Sequence, residues 1–495
     1  MTHTQMQKLI GAAVIALSAV ACSEKQININ NPNSALASGV ASDPTALQLL
    51  ATGLFADQRG TRSAQITNTG TFGREMYTYT PNEGRNTTHF LLGINAGGVQ
   101  KLDPSGFANG SWTGQYGALR DIFNFKNTVN ASNALSAQQK SAALGMAETF
   151  EGLMVLELLE TRDTLGVITE VKADPFALAP FVTRDSGYKF VFGMLDDANT
   201  KLGGGGTAFP FTLPPGFGTA VAGANFTTPA GFAQFNRAIK ARAAAEYATS
   251  GGGTTAWQAA LSALSASFLN AAATTRAQFD VGVYDTYAPS PDSPNGLTQA
   301  TNTTLYAHMS FQTDVQKKAD GTTPDDRYTA KIRTGLPARS GPVTGDGPTS
   351  ATSTLGFSIW PTTSSPIPII RNEELILLRA EAKLGTGDKA GAIADLNIVR
   401  QNSGGLPAST LTAASSNDAI ITGILYEKRY SLMMEGHRWV DMRRYGKLNL
   451  LPLDIASGPN KNFVAIVMPV PQAECLVRLP LGGAFLGPNG LNDCN

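Results

Sequence analysis

The sequence predicts an all-α fold, an irregular array of tetratricopeptide-like helix pairs decorated with long loops. Apolar residues recur three and four apart in segment after segment, the spacing of one helix face. One such pair of segments is joined by the tight link "GTGD", the geometry of a helical hairpin. Between the pairs lie stretches rich in Gly, Pro, Thr and Ser with few charges.

In chain order, Lys8 precedes an apolar run, Leu9 to Ala21, too short to span a bilayer but of signal-peptide length. The run ends "LSAVAC", and two processing routes fit: cleavage after Ala19-Val20-Ala21, or lipidation of Cys22 at the Ala21-Cys22 junction. A lone cysteine at this junction favours lipidation. The expected division is a signal peptide at 1–21, a lipidated tether at 22–40 with Asn-Pro breakers, and a single helical domain at 41–495. Loop-rich insertions are expected at about 203–228, 280–304 and 339–368, where a binding surface would be built.

The first helix of the domain starts at Asp43 as N-cap with Pro44 in its first turn. "SWTGQYGALRDIFNFKNTV" puts Trp112, Tyr116, Leu119 and Phe123 on one stripe, so Trp112 and Tyr116 are expected in the core. A longer helix begins near Ser136 or Ala137, and its Glu148, Glu151, Glu157 and Glu160 are expected on a solvated face. "FAQFNRAIKARAAAEYA" and "AWQAALSALSASFLNA" form a helical pair around "TSGGGTT". In "NEELILLRAEAKLGTGDKAGAIADLNIVRQNSGG", Gly385 is expected to take the left-handed conformation past a helix end. Asp388 then caps a second helix, with Ala392, Leu396 and Val399 on its inner face.

Composition narrows the chemistry. Of 495 residues 42% are hydrophobic, enough for a large core, while charged residues are only 15% against ~25% in an average domain. Formal net charge is zero, so nucleic acid is not an expected partner and a neutral ligand fits best. His89, His308 and His437 are far apart in sequence, and HExxH and CxxC are absent, so no metal site is expected. There is no Walker A loop or G-x-S-x-G elbow, and "GTGDKAG" follows a helix rather than a strand, so no cofactor is expected. Asp325, Asp326 and Arg327 in "TPDDRY" read as a loop-anchoring ion pair. No catalytic residues emerge, and a glycoside hydrolase would need two carboxylates across a cleft. Export permits Cys475 and Cys494 to pair, pinning the C-terminal tail.

The hairpin quoted above, followed by "ILYEKRYSLMMEGHRWVDMRRYG", closely resembles the C-terminal signature of the SusD/RagB family. The resemblance rests on Arg371, Glu374, Leu377 to Ala382, Gly387, Asp388, Leu396, Asn397, Val399 and Arg400 in the first block. In the second it rests on Glu427, Arg429, Leu432, Glu435, Gly436, Arg438, Trp439, Asp441, Arg443, Arg444 and Gly446, with "MPVPQAE" following at Met468. The chain departs from the family at its C-terminus, where the cysteine pair stands instead of the usual N-P-x-L-x-Q-N ending. The resemblance implies a surface nutrient-binding lipoprotein of the outer membrane, facing the exterior. It implies delivery of oligosaccharides, or in some members peptides, to a SusC-like TonB-dependent transporter, and it implies no enzyme activity. The rival from another class is a tetratricopeptide-like scaffold for protein partners.

Neutral sugars are held by aromatic faces over their C–H surfaces and by planar polar groups on their hydroxyls. Tyr77, Tyr79, Asn82 and Arg85, then Tyr284 and Tyr287, then Trp360, lie in loop-like settings and are the ligand-binding candidates. The charge-dense segment is read as structural. Glu435–Arg438, Arg438–Asp441 and Asp441–Arg444 are successive i,i+3 opposite charges, expected to form an ion-pair knot over a buried Trp439.

Overall fold

A computed structural model describes residues 44–478, apart from 81–82, 97–98, 175, 291, 300–303, 341–351 and 459–460. Cys22, Asn82 and Cys494 lie outside the described residues, as do the signal and tether segments. The long helices are α1 (Pro44–Phe72), α2 (Thr113–Ala131), α3 (Ala137–Arg162), α4 (Arg184–Gly203), α5 (Pro229–Tyr247) and α6 (Gly253–Ser265). They continue as α7 (Asn372–Gly385), α8 (Lys389–Asn402), α9 (Asn417–Ser431) and α10 (Arg438–Arg444). Each packs on the next in chain order from α1 to α8; α9 then packs on both α7 and α8, and α10 returns to α1. This is the expected all-α array of helix pairs.

Local sequence explains the boundaries. Ser136 opens α3 with a capping box: its hydroxyl accepts from the Gln139 amide, and the Gln139 side chain accepts from the Ser136 amide. Thr228 caps α5 with Pro229 at the first helical position, and Asp388 caps α8 through the Gly391 amide at 2.8 Å. The left-handed residue of the α7–α8 turn is Gly387, at φ 94°, and not Gly385. Gly385 is still helical and serves a different end. A Cβ there would stand 2.3 Å from the Trp257 ring, so the missing side chain lets α6 close on α7.

Strands are short. β1 (Met76–Thr78) pairs antiparallel with β3 (Leu305–Ala307), and β2 (Gly282–Asp285) with β4 (Ile367–Arg371), the latter with a register shift after Pro368. The loop-rich stretches are therefore partly ordered against the helices. In the first, Phe209, Phe211, Phe217 and Phe226 are buried in the main core with Phe150, Phe232 and Phe235 of α3 and α5.

Charge also lies inside. Glu157 is buried, taking hydrogen bonds from Gln115 and Thr61 at 3.1 and 3.2 Å, with Arg62 of α1 at 3.5 Å. Glu160 accepts from Gln65 at 3.1 Å, Glu148 from Lys201 at 2.7 Å and Glu151 from Lys126 at 2.6 Å. The expected solvated face of α3 is thus an inner face, because α1, α2 and α4 bring counter-charges to it. Trp112 and Tyr116 are packed against the core as expected, with Arg162 over the indole at 5.0 Å.

The knot is real but wired differently. Asp441 and Arg444 pair at 2.7 Å, and Lys428 and Glu381 of the neighbouring helices complete a buried quartet. Glu435 instead pairs with Arg371 at 2.7 Å, and Arg438 donates to the Gly73 carbonyl at 3.0 Å. The break at Gly436, φ 94°, turns Glu435 away from α10, and Arg438 turns to the Gly73 carbonyl, so neither Glu435–Arg438 nor Arg438–Asp441 forms and only one of the three expected pairs is present. Trp439 is fully buried against Phe72, its indole donating to the Ala465 carbonyl at 2.6 Å.

Candidate ligand-binding site

A large concavity among the described residues has a volume of about 680 Å³, within the usual size range of ligand pockets. It opens where the β2–β4 pair meets the short helix Asp326–Lys331, the end of α8 and the α9–α10 link. One wall is apolar: Val221, Ile359, Trp360, Pro361, Pro366 and Pro368. The other carries Arg276, Asp280, Asn402 and Ser403, and the floor is Arg327, Lys331, Arg371 and Glu435.

The polar wall is preorganised. Arg276 reaches Asp280 one helical turn on, Ser403 at 3.2 Å and the buried Glu373 at 2.9 Å, yet its side chain stays 46% exposed. That combination fixes a guanidinium in place and leaves it open to a ligand hydroxyl. In the floor, burial would lower Arg371 and raise Glu373. The attraction between opposite charges wins, so Arg371 is held well above its usual range and Glu373 well below. Lys331 donates to the Tyr430 and Ser431 carbonyls at the end of α9. Burial, with Arg371 adding repulsion, pushes its ammonium down to about 7.

Of the residues expected to bind ligand, Tyr284 and Trp360 meet in this cleft. Both are largely buried: Tyr284 donates its hydroxyl to the Asp280 carbonyl, and Trp360 belongs to a core cluster with Tyr328 and Phe357. The remainder are placed elsewhere. Tyr77 and Tyr79 are core residues whose rings pack at a tilt against each other and Tyr306, with Tyr77 bonded to Asp454 and its ring beside His308. Their β1 strand pairs with β3, and that pairing turned an apparent loop into an inner layer. Arg85 is exposed, bonded to Glu83 and lying over the Phe107 ring at 4.3 Å. Tyr287 lies under Arg59 at 5.6 Å, outside the large cleft. Residues missed by sequence reasoning are Arg276, Asp280, Asn402 and Ser403. They sit at helix ends, where only tertiary packing makes them neighbours. Arg371 and Glu435 were flagged, but as structure.

A model of the SusD family matches residues 264–468, which include every residue lining the cleft except Val221. Over that span the chain is similar to the SusD family. No curated protein matches the sequence. Among solved structures, the chain is similar to a SusD-like protein from Bacteroides fragilis, at 17% identity over 88% of this chain and 96% of that one, with a TM-score of 0.62. It is similar to surface glycan-binding protein A from Bacteroides fluxus, at 12% identity over 88% and 97%, with a TM-score of 0.61. A SusD-like carbohydrate-binding protein from Bacteroides fragilis matches at 14% identity over 88% and 99%, with a TM-score of 0.58. At such identities these likenesses establish the fold. Among the described residues no helix is long and apolar enough to cross a membrane, and no group of three or more His, Cys, Asp or Glu is placed to hold a metal.

Proposed function

We propose that this protein is a cell-surface binding protein that captures oligosaccharides in the large cleft and hands them to a SusC-like TonB-dependent transporter. Lipid on Cys22 holds it on the outer membrane, facing outward. One observation carries the reading: an apolar wall faces an exposed, preorganised row of Arg276, Asp280, Asn402 and Ser403. A sugar ring needs both, a surface for its C–H face and fixed polar groups for its hydroxyls. The carboxylates lining the cleft are each tied to a cation, Asp280 to Arg276, Asp326 to Lys318 and Glu435 to Arg371. That suits holding a ligand rather than delivering a proton, so the protein binds without turnover.

Isothermal titration against a panel of neutral oligosaccharides and peptides tests this. Saturable saccharide binding with unaltered saccharide recovered afterwards is the expected result. Binding of peptides alone, or released shorter products, would sink it. Recovery of no TonB-dependent barrel from membranes of the native host by affinity capture would contradict the handover. Signal-peptide processing that resists globomycin would contradict the anchor.

A further inference from the structure

A second cavity of about 350 Å³ lies on the other side of β2, between α1 and the loop before α5. Its walls are Phe55, Leu213, Pro214, Pro215 and Phe217, with the two phenyl rings edge to face at 5.3 Å. The shape is built by close approaches. Gly216 lies flush on β2, where a Cβ would stand 1.8 Å from the Tyr284 carbonyl oxygen. Gln48 zips the loop to α1, donating to the Thr212 carbonyl at 3.1 Å and accepting from its amide at 2.7 Å. Across the mouth runs an ion pair: Arg59 binds both oxygens of Asp292 at 2.6 and 3.0 Å and the Thr286 carbonyl at 2.7 Å.

Asp285 also lines this cavity, and its side chain is only 4% exposed. Gln58 and Arg62 hold it from α1, at 3.4 and 3.3 Å, and both bonds go to Oδ2. Among the described residues no hydrogen bond reaches Oδ1. A carboxylate tied down through one oxygen at the wall of such a cavity presents the other as an acceptor for a donor on a ligand. Burial accordingly pushes the Asp285 carboxyl up to about 6.

We infer that this cavity is a second saccharide site, taking a single hydroxylated ring or a disaccharide. Asp285 Oδ1 accepts from a ring hydroxyl, and Phe55 and Phe217 cover the C–H face. The site rests on the reading of the protein as a saccharide binder but uses different residues from the large cleft, Tyr284 of β2 being the shared wall.

The test uses equilibrium dialysis with radiolabelled neutral probes, glucose, galactose, mannose, maltose, lactose and cellobiose, on four full-length proteins. These are the wild type, Ala56→Trp, Arg276→Ala and the double variant. Ala56 is an exposed residue of α1 at the cavity mouth, so a tryptophan there fills the cavity without disturbing the core. Thermal melts confirm folding of each. The wild type is expected to bind two equivalents of at least one probe, Ala56→Trp one, Arg276→Ala one at least ~tenfold weakened at the other, and the double variant none detectable. Asp285→Asn is expected to weaken the Ala56-sensitive site alone. Unchanged stoichiometry and affinity in Ala56→Trp overturns the second site while leaving the large cleft intact. Loss of binding in Ala56→Trp alone, with Arg276→Ala unaffected, overturns the large-cleft assignment and keeps this one.

Discussion

Arg438 and Arg444 show how much single-residue roles depend on partners that sequence spacing hides. Both belong to the same motif, yet only Arg444 is buried against two carboxylates, Glu381 and Asp441. Arg444→Ala would leave both uncompensated and is expected to cost about 3–5 kcal/mol in denaturant unfolding. Arg438 is half-buried and makes one carbonyl contact at 3.0 Å, so Arg438→Ala is expected to cost only about 1–2 kcal/mol. Neither guanidinium lines the large cleft, so saccharide affinity of the folded fraction stays unchanged in both. Equal losses in the two variants would contradict the wiring described here. The i,i+3 rule found Asp441–Arg444 on α10 but not Arg438–Asp441 on the same helix, because Arg438 is drawn to the Gly73 carbonyl at the end of α1 instead. It misplaced Glu435 because Gly436 interrupts the helix between that residue and its expected partner.

At the scale of elements, helix existence and pairing were legible because apolar periodicity and caps are local properties. The α7–α8 hairpin, the α3 capping box and the α5–α6 pair all follow from such signals. What faced the α3 glutamates was not local, and neither was the pairing of β1 with β3 that buries Tyr77 and Tyr79. The polar wall of the cleft was illegible for the same reason: Arg276 and Ser403 are 127 positions apart. Gly385 gives an element-scale prediction. Even Gly385→Ala drives a methyl into the Trp257 ring, and is expected to cost about 1–3 kcal/mol, with Gly387→Ala strained separately by its positive φ. A wild-type melting temperature for Gly385→Ala would contradict the α6–α7 contact. The proposed Cys475–Cys494 link is checked by intact mass of the exported protein before and after reduction and alkylation, where unchanged alkylation of two free thiols contradicts it.

Across the whole molecule, buried ionisable groups set how stability depends on pH. Burial raises the Glu75 and Glu160 carboxyls to about 7, so the fold holds protons that the unfolded chain has already released. Their contribution is present below about pH 4.5 and is lost as pH climbs to about 7. Lys331, lowered to about 7, works in the opposite sense, and its contribution grows as pH rises from about 7 to about 10.5. Glu381, held at about 2 by Arg444 and Lys428 against its burial, loses its contribution as pH falls from about 4.5 towards 2. The urea midpoint is therefore expected to be higher at pH 5 than at pH 7.5, and Glu75→Gln is expected to flatten that slope. A midpoint that rises steadily from pH 5 to 7.5 contradicts the assignment.

The central claim is that saccharide is held between the apolar wall and the Arg276 row. Titration of the best saccharide ligand into wild type, Arg276→Ala and Asn402→Ala, each verified folded by thermal melt, tests it most directly. Affinity is expected to fall at least ~tenfold in Arg276→Ala and several-fold in Asn402→Ala, with the saccharide chemically unchanged. Wild-type affinity in both variants would contradict it.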